Sequence, residues 1–258
     1  STAKPWDGGA QLPPGHALGW QTVAPSAIPF AVSDNPPQAL DRGGMERIRD
    51  AFGEAARRAA RLGYDAVQVH SAHGYLLHEF LSPLSNRRED EFGGSLENRM
   101  RFPLEVFDAV RSGFAADRPV TLRVSGTDWM PDGWDAEQTA LYAQAVEARG
   151  CAAIDVSSGG LHAHQDIPVG PGYQVPLARH VRKAVTIPVS AVGLITDYDQ
   201  AEAIIGTGDA DMVSLARTIL YDPRWPWHAA AHLGASVKAA DQFLRCQPRQ
   251  FPKLFAAE

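Results

Sequence analysis

Two histidines and a tyrosine, groups that can bind and protonate a polar small molecule, lie within the segment His70-Ser71-Ala72-His73-Gly74-Tyr75. Each neutral imidazole offers one N–H donor, and two donors that converge on a carbonyl or nitro oxygen stabilise negative charge that develops there. A phenol has an ordinary pKa of about 10, so it is protonated at neutral pH and can act as an acid.

By itself this segment also allows simpler roles. The histidines could bond backbone carbonyls, and Tyr75 could pack as a loop aromatic. A metal site would need at least a third ligand, which His162 or His164 could supply only if their loop folded inward. We expect no metal in the site.

Two arginines stand where an anion is expected. Arg123 lies inside an apolar strand, where its guanidinium needs either a bound anion or a core carboxylate. Arg217 follows the last predicted strand, and with the backbone of Gly193 and of the Ser158-Gly159 turn it could bind a phosphate.

The elements that must position these residues alternate along the chain. Apolar residues at helical spacing (Ile48, Phe52, Ala55, Ala59 and Leu62) predict a helix over 44–62 that ends at Gly63, and a strand over 66–70 follows. The same alternation predicts helices over 96–112, 136–149, 175–184 and 198–207 and from 223 onward, and strands over 120–124, 153–156, 187–192 and 212–215.

This order predicts an α/β fold with a parallel sheet, either doubly wound or a (β/α)8 TIM barrel. No G-x-G-x-x-G motif follows Val69, whereas glycines and an arginine follow the last strands, which favours the barrel. Five strands are predicted where a closed barrel needs eight. We therefore expect one domain over 1–258, with a loop region at 1–43 and, at 44–258, βα units 4 to 8 and a C-terminal tail.

Composition excludes several classes of function. The net charge of -6 and the lack of a basic run argue against binding to nucleic acid. Two cysteines, Cys151 and Cys246, cannot form a disulfide framework or ligate an iron-sulfur cluster, and no long apolar stretch predicts a membrane span or a signal peptide. We expect a soluble cytoplasmic protein.

Longer motifs carry a resemblance to a known family. From His70 to Phe102 the sequence closely resembles the Old Yellow Enzyme family, including Ser82-Pro83-Leu84-Ser85-Asn86-Arg87 and Phe92-Gly93-Gly94-Ser95. The similarity continues through Arg123-Val124-Ser125, Pro171-Gly172-Tyr173-Gln174 and Ala216-Arg217. It is strongest to the bacterial, thermophilic-type branch, and it covers most of the chain from about Pro25 onward.

The resemblance implies a (β/α)8 barrel that holds FMN noncovalently. It implies that His70 and His73 bind the substrate oxygen and that Tyr75 donates a proton. It also implies that Arg123 contacts the flavin, and that Ser158, Gly159, Gly193, Ala216 and Arg217 bind the cofactor. Many relatives have Gly where this chain has Ala216, which would be disfavoured if φ there were positive. Arg245 resembles a tail arginine that reaches the substrate site of a neighbouring subunit.

The implied activity is reduction of activated alkenes (enones, maleimides or nitroalkenes) by NADPH or NADH through FMN, in a homodimer or homotetramer. The implied barrel also needs an N-terminal segment, supplied by a longer chain or by a separate one. Two alternatives remain: a flavoenzyme that resembles dienoyl-CoA reductase, and a non-catalytic fragment or assembly partner of a flavoprotein.

Overall fold

The computed structural model describes residues 2–256, so positions 1, 257 and 258 of the predicted domain lie outside the described residues. The N-terminal part contains a 3-10 turn over Pro5–Asp7 and two short paired strands, β1 (Val23–Ala24) and β2 (Gln38–Ala39). The rest of this part is irregular up to the start of the first α-helix at Arg42.

The main sheet has five parallel strands, which are hydrogen-bonded in their order along the chain. They are β3 (Val67–Ser71), β4 (Val120–Ser125), β5 (Ile154–Ser157), β6 (Val189–Ala191) and β7 (Met212–Val213). Each predicted strand lies within two residues of its observed bounds. Consecutive parallel neighbours joined by helices are the arrangement expected of successive units of a (β/α)8 barrel.

Nine helices occur within residues 2–256: α1 (Arg42–Arg61), α2 (Leu76–Leu81), α3 (Leu96–Gly113), α4 (Ala136–Glu147), α5 (Val175–Arg182), α6 (Tyr198–Gly206), α7 (Arg217–Tyr221), α8 (Trp225–His232) and α9 (Asp241–Leu244). Two short strands in the C-terminal tail, β8 (Val237–Lys238) and β9 (Phe255–Ala256), pair with each other in parallel. The sequence analysis missed α2, α7 and α9, which are too short for an apolar period to be visible. No helix in the described part of the chain has the length and apolar character needed to cross a membrane.

The two faces of the main sheet differ in polarity. Toward the helices β4 presents Val120, Leu122 and Val124, all fully buried. One row across the opposite face is formed by residues that pair in register: His70 with Arg123, Arg123 with Asp155, and Asp155 with Ser190. Because residues paired in a parallel sheet point to the same side, the hydrophobic core lies on the helix side and the polar row on the other.

The predicted apolar stripe of α1 is partly wrong. Ala55 is exposed, and Leu62, just after the helix, is 76% exposed. The buried line runs instead through Met45, Gly53 and Ala56. A Cβ at Gly53 would lie 3.3 Å from the backbone oxygen of Ala109 on α3. Close contact between the two helices through small residues therefore determines which face of α1 is buried, and the spacing of large apolar residues in the sequence does not reveal such a contact.

Gly63 ends α1 as the sequence predicts. Its φ of 82° is in the left-handed region, and its N–H donates to the carbonyl of Ala60. Glycine adopts this conformation without the strain that a Cβ introduces.

The contrast between Leu122 and Leu62 gives a stability prediction. We expect Leu122→Ala to lower the free energy of unfolding by about 2–5 kcal/mol, because a fully buried leucine is lost from the core, and Leu62→Ala to change it by less than about 0.5 kcal/mol. Urea unfolding followed by far-UV circular dichroism measures both. Equal losses in the two variants would contradict the described packing.

Candidate functional site

The two histidines and Tyr75 come together at the carboxyl end of β3. His70 is on the strand, and its ring centroid lies 5.2 Å from that of His73 and 5.5 Å from that of Tyr75. The Nε2 atom of His70 is buried and has no hydrogen-bond partner among the described residues. Tyr75 is 66% exposed, so its phenol lies at the open side of the group.

A tight turn between β3 and α2 produces this grouping. His73 and Gly74 both have left-handed backbones, with φ values of 58° and 73°. A Cβ on Gly74 would collide with the carbonyl of Gly160, which follows β5. Glycine at 74 therefore allows the loops after β3 and β5 to meet backbone to backbone.

Hydrogen bonds hold His73 at both its backbone and its ring. Its N–H donates to Ser125 Oγ over 3.0 Å, and its Nε2 lies 2.7 Å from Ser157 Oγ. Which of Nε2 and Oγ donates depends on the tautomer of His73. Ser125 and Ser157 end the neighbouring strands β4 and β5, so the position of His73 depends on the whole sheet edge.

Both histidines favour the neutral form. Burial, and then the positive charge of Arg123, lower the pKa of His70 and lower that of His73 to about 4. At neutral pH each ring therefore carries one N–H proton and can donate it, as the predicted role requires.

Arg123 faces both a carboxylate and open space. Its Nε lies 3.9 Å from Asp155 Oδ1, and neither atom has a hydrogen-bond partner in the described part of the chain. Burial raises the pKa of Asp155, while Arg123 and a hydrogen bond from Ser214 oppose that shift. Both sequence-based readings of Arg123 thus find support: it is near a core carboxylate, and it keeps donors for another anion.

A cavity of about 190 Å³ brings together Arg123, Gly193, Ala216 and Arg217. Gly193 has a φ of 126°, and a Cβ there would lie 2.8 Å from Gln174 Nε2. Ala216 has a φ of -116°, so alanine causes no left-handed strain at this position. The exposed Arg217 makes no ion pair or hydrogen bond within residues 2–256.

Two of the predicted cofactor-binding residues lie outside this cavity. Ser158 and Gly159 do not line this cavity: Ser158 Oγ accepts from Trp129 and donates to Gln174, and the N–H of Gly159 already donates to the carbonyl of Thr127. Their polar groups are thus satisfied within the protein. Arg245 is exposed at the end of α9 and contacts neither the histidines nor Tyr75 in the described structure.

The sequence analysis missed Ser157 and Gln174, which line the cavity. Gln174 Nε2 donates to the carbonyl of Val192, which turns its Oε1 toward Ser157 and Ser158. Gln174 belongs to the motif Pro171-Gly172-Tyr173-Gln174 noted above, and Ser157 directly follows the strand predicted over 153–156. These positions were the available signal.

The possible third metal ligands lie elsewhere. His162 and His164 line a separate apolar cavity with residues 28–33, and that cavity does not include His70 or His73. Among residues 2–256 no group of three or more His, Cys, Asp or Glu side chains is arranged to hold a metal ion.

Residues 6–235 match the NADH:flavin oxidoreductase / NADH oxidase family. The NADPH dehydrogenase of Geobacillus thermodenitrificans (strain NG80-2) is 45% identical over 225 residues, which are 87% of this chain and 65% of the relative. The chain thus spans slightly less than two thirds of the length of that curated relative.

Solved structures give the same fold. Morphinone reductase in complex with tetrahydroNAD superposes with a TM-score of 0.69 at 27% identity, over 90% of this chain and 63% of that one. A complex of 2-naphthoyl-CoA reductase with 2-naphthoyl-CoA superposes with a TM-score of 0.75 at 27% identity, over 84% of this chain and 34% of that one. These likenesses confirm the predicted fold class, part of a (β/α)8 barrel.

The family match covers most of the chain, and the relatives at 40–46% identity include several NADPH dehydrogenases. The resemblance to the Old Yellow Enzyme family, first visible in the segment from His70 to Phe102, is therefore confirmed. This chain belongs to the NADH:flavin oxidoreductase / NADH oxidase family.

Proposed function

We propose that the protein reduces activated alkenes (enones, maleimides and nitroalkenes) with NADPH or NADH through bound FMN. The observation that carries the proposal is the buried, unpartnered Nε2 of His70, which lies beside the His73 ring and the Tyr75 phenol. A buried polar atom without a partner is costly unless a ligand satisfies it.

FMN fits the residues present. Among the described residues Arg123 has a buried Nε without a hydrogen-bond partner and Arg217 is an exposed cation without an ion pair, and a Cβ at Gly193 would collide with Gln174 in the lining of the cavity that joins them. Arg217 would bind the phosphate of the cofactor at this cavity, and Arg123 would contact the flavin. When bound, FMN would supply hydride transfer between the nicotinamide and the alkene.

The chain's own residues then handle the substrate. His70 and His73 donate N–H groups to the carbonyl or nitro oxygen, which withdraws electrons from the alkene and stabilises charge in the transition state. In the tautomer of His73 whose Nε2 accepts from Ser157 Oγ, the Nδ1–H of that ring is left for the substrate. Tyr75 then protonates the carbon next to the activating group.

The same proposal extends to the wider assembly. We assign residues 1–258 to one FMN-binding domain whose barrel is completed by an N-terminal segment, because the polar row of the sheet lies on the face away from the helices. The exposed Arg245 reaches the substrate site of a second copy in a cytoplasmic homodimer or homotetramer. The free thiols of Cys151 and Cys246 suit a reducing compartment.

One observation favours a second candidate. The likeness to 2-naphthoyl-CoA reductase, at a TM-score of 0.75, supports a reductase of aromatic or dienoyl thioesters. The discriminating measurement is an absorbance scan of purified protein followed by anaerobic addition of NADPH and then cyclohexenone. Bleaching of a flavin spectrum and its return with cyclohexenone support the first function, whereas return only with an unsaturated CoA thioester supports the second. A protein that is still colourless after incubation with FMN and removal of the unbound FMN leaves only a non-catalytic role.

The histidine donors provide a direct prediction. We expect His70→Ala to lower kcat for cyclohexenone by about 10²–10³, the usual loss for one donor to developing charge. His70→Asn retains an N–H and should recover part of the loss. Stopped-flow reoxidation of the reduced flavin measures both, and a rate in His70→Ala equal to that of the unmodified protein would rule out this role.

Tyr75→Phe should have a smaller effect. Because Tyr75 is 66% exposed, water can reach the same carbon and replace the phenol as the acid. A positioned acid usually contributes a factor of about 100, and we expect the rate of enone reduction to fall by less than that. Flavin reduction by NADPH, which needs no phenol proton, is the internal control. An unchanged rate and solvent isotope effect in the alkene step would show that Tyr75 is not the acid.

Arg217 should control cofactor affinity. We expect Arg217→Ala to weaken FMN binding by about 10–100-fold, because a charge-assisted contact is lost. The Kd of Arg217→Lys should lie between those of the unmodified protein and Arg217→Ala, because lysine keeps the charge but not the planar guanidinium. Quenching of FMN fluorescence measures the Kd. Arg57→Ala, which removes an exposed ion pair with Glu54 on α1, is the matched control and should leave the Kd unchanged.

A further inference from the structure

A buried histidine and carboxylate lie directly behind the His73-Gly74 turn. His78 Nδ1 accepts a hydrogen bond from the N–H of Gly74 over 2.9 Å. On the other side of the ring, His78 Nε2 lies 2.9 Å from Asp128 Oδ1, although the two groups are poorly aligned for a hydrogen bond. The side chains of His78 and Asp128 are both fully buried.

These contacts define the tautomer of His78. Because Nδ1 accepts a hydrogen bond from the N–H of Gly74, the ring proton must be on Nε2, which faces the carboxylate. The carboxylate is itself fixed, since its Oδ2 accepts from Ser82 Oγ over 2.6 Å and from the N–H of Trp134 over 2.8 Å. The second oxygen of Asp128 is thereby held close to His78 Nε2, the nitrogen that carries the ring proton.

The contact with Gly74 resembles one bond of a capping box. Tyr75 is the N-cap residue of α2, but its side chain makes no capping bond. His78 is three residues after this N-cap, the position from which Glu or Gln side chains commonly reach back to the N-cap N–H, whereas His78 accepts from the residue before it. Because the Tyr75 side chain makes no capping bond, it is available to the site.

We propose that Asp128 sets the tautomer of His78, and that His78 in turn positions the His73-Gly74-Tyr75 turn and so the groups that hold the substrate. This inference rests on the proposed function for its link to substrate, but not for its link to the turn. A buried polar pair adds little stability compared with apolar residues of the same volume, so its geometric effect is the better reason for its presence.

The sharpest test is Asp128→Asn, which changes charge but not shape. The amide oxygen must occupy the Oδ2 position to accept from Ser82 and Trp134, which turns the amide NH2 toward His78. Two donors would then face each other, and we expect the His78 proton to move to Nδ1, where it opposes the N–H of Gly74. In other His–Asp pairs, a histidine that is held in the wrong tautomer causes a large loss of kcat.

Two NMR measurements on the full FMN-bound protein report this change without turnover. Ring ¹⁵N shifts should show the His78 proton on Nε2 in the unmodified protein and on Nδ1 in Asp128→Asn. Amide exchange at Gly74 should be faster by about tenfold, the loss of one hydrogen bond. His78→Asn, whose amide oxygen can take the place of Nδ1, should restore the protection of Gly74, whereas His78→Leu should not.

Kinetics then connect the turn to the substrate. The KM for cyclohexenone should rise by about tenfold in Asp128→Asn and His78→Leu and recover in His78→Asn, while the Kd for FMN stays unchanged. His232→Leu breaks an exposed pair with Asp199, also 2.9 Å long, and should change none of these values.

Two results separate the possible failures. If the His78 tautomer and Gly74 exchange are unchanged in Asp128→Asn, the positioning role is wrong, whatever the activity. If both change as expected but the unmodified protein does not reduce cyclohexenone, the proposed function fails while the control of the turn stands.

Discussion

The register of the parallel sheet is the constraint on which the site depends. It aligns His70, Arg123, Asp155 and Ser190 in one row across four strands, because each is paired with the next. Paired residues of parallel strands share a face, so the row brings a neutral donor, a cation, an anion and a hydroxyl side by side. A shift of one residue in β4 would turn Arg123 into the apolar helix layer, where its charge could not be accommodated.

The loops after the strands add a second layer to this arrangement. They meet without intervening side chains at Gly74 and Gly160, and Ser125 accepts from the N–H of His73 while donating to the carbonyl of Gly159. One hydroxyl thus links the loops after β3 and β5 through the end of β4. Polar groups used in this way have partners within the protein, as the Ser158 hydroxyl and the backbone of Gly159 do.

Buried polar groups divide into those that are satisfied internally and those that are not. Asn86 donates to two backbone carbonyls, and Arg99 donates to carbonyls and to Gln138, so these residues stabilise the loops around α2. His70 Nε2 and Arg123 Nε lack such partners within residues 2–256, and they lie on the face of the sheet that carries the site. These two unsatisfied atoms therefore mark the ligand-binding side, whereas His78 Nε2 and Asp128 Oδ1, which are also unsatisfied, face each other behind the His73-Gly74 turn.

The sequence by itself determined the order and approximate bounds of the strands and long helices, since apolar periods, Gly63 and the strand-end motifs are local signals. It also predicted that His70, His73 and Tyr75 group together, since they are close along the chain. Only the tertiary structure decided that α1 packs through Gly53 rather than Leu62, and that Ser157 and Gln174 line the cavity in place of Ser158 and Gly159. It alone decided that Asp128 lies behind His78. These outcomes depend on which atoms from distant segments meet, and a linear pattern of residue types carries no record of those distances.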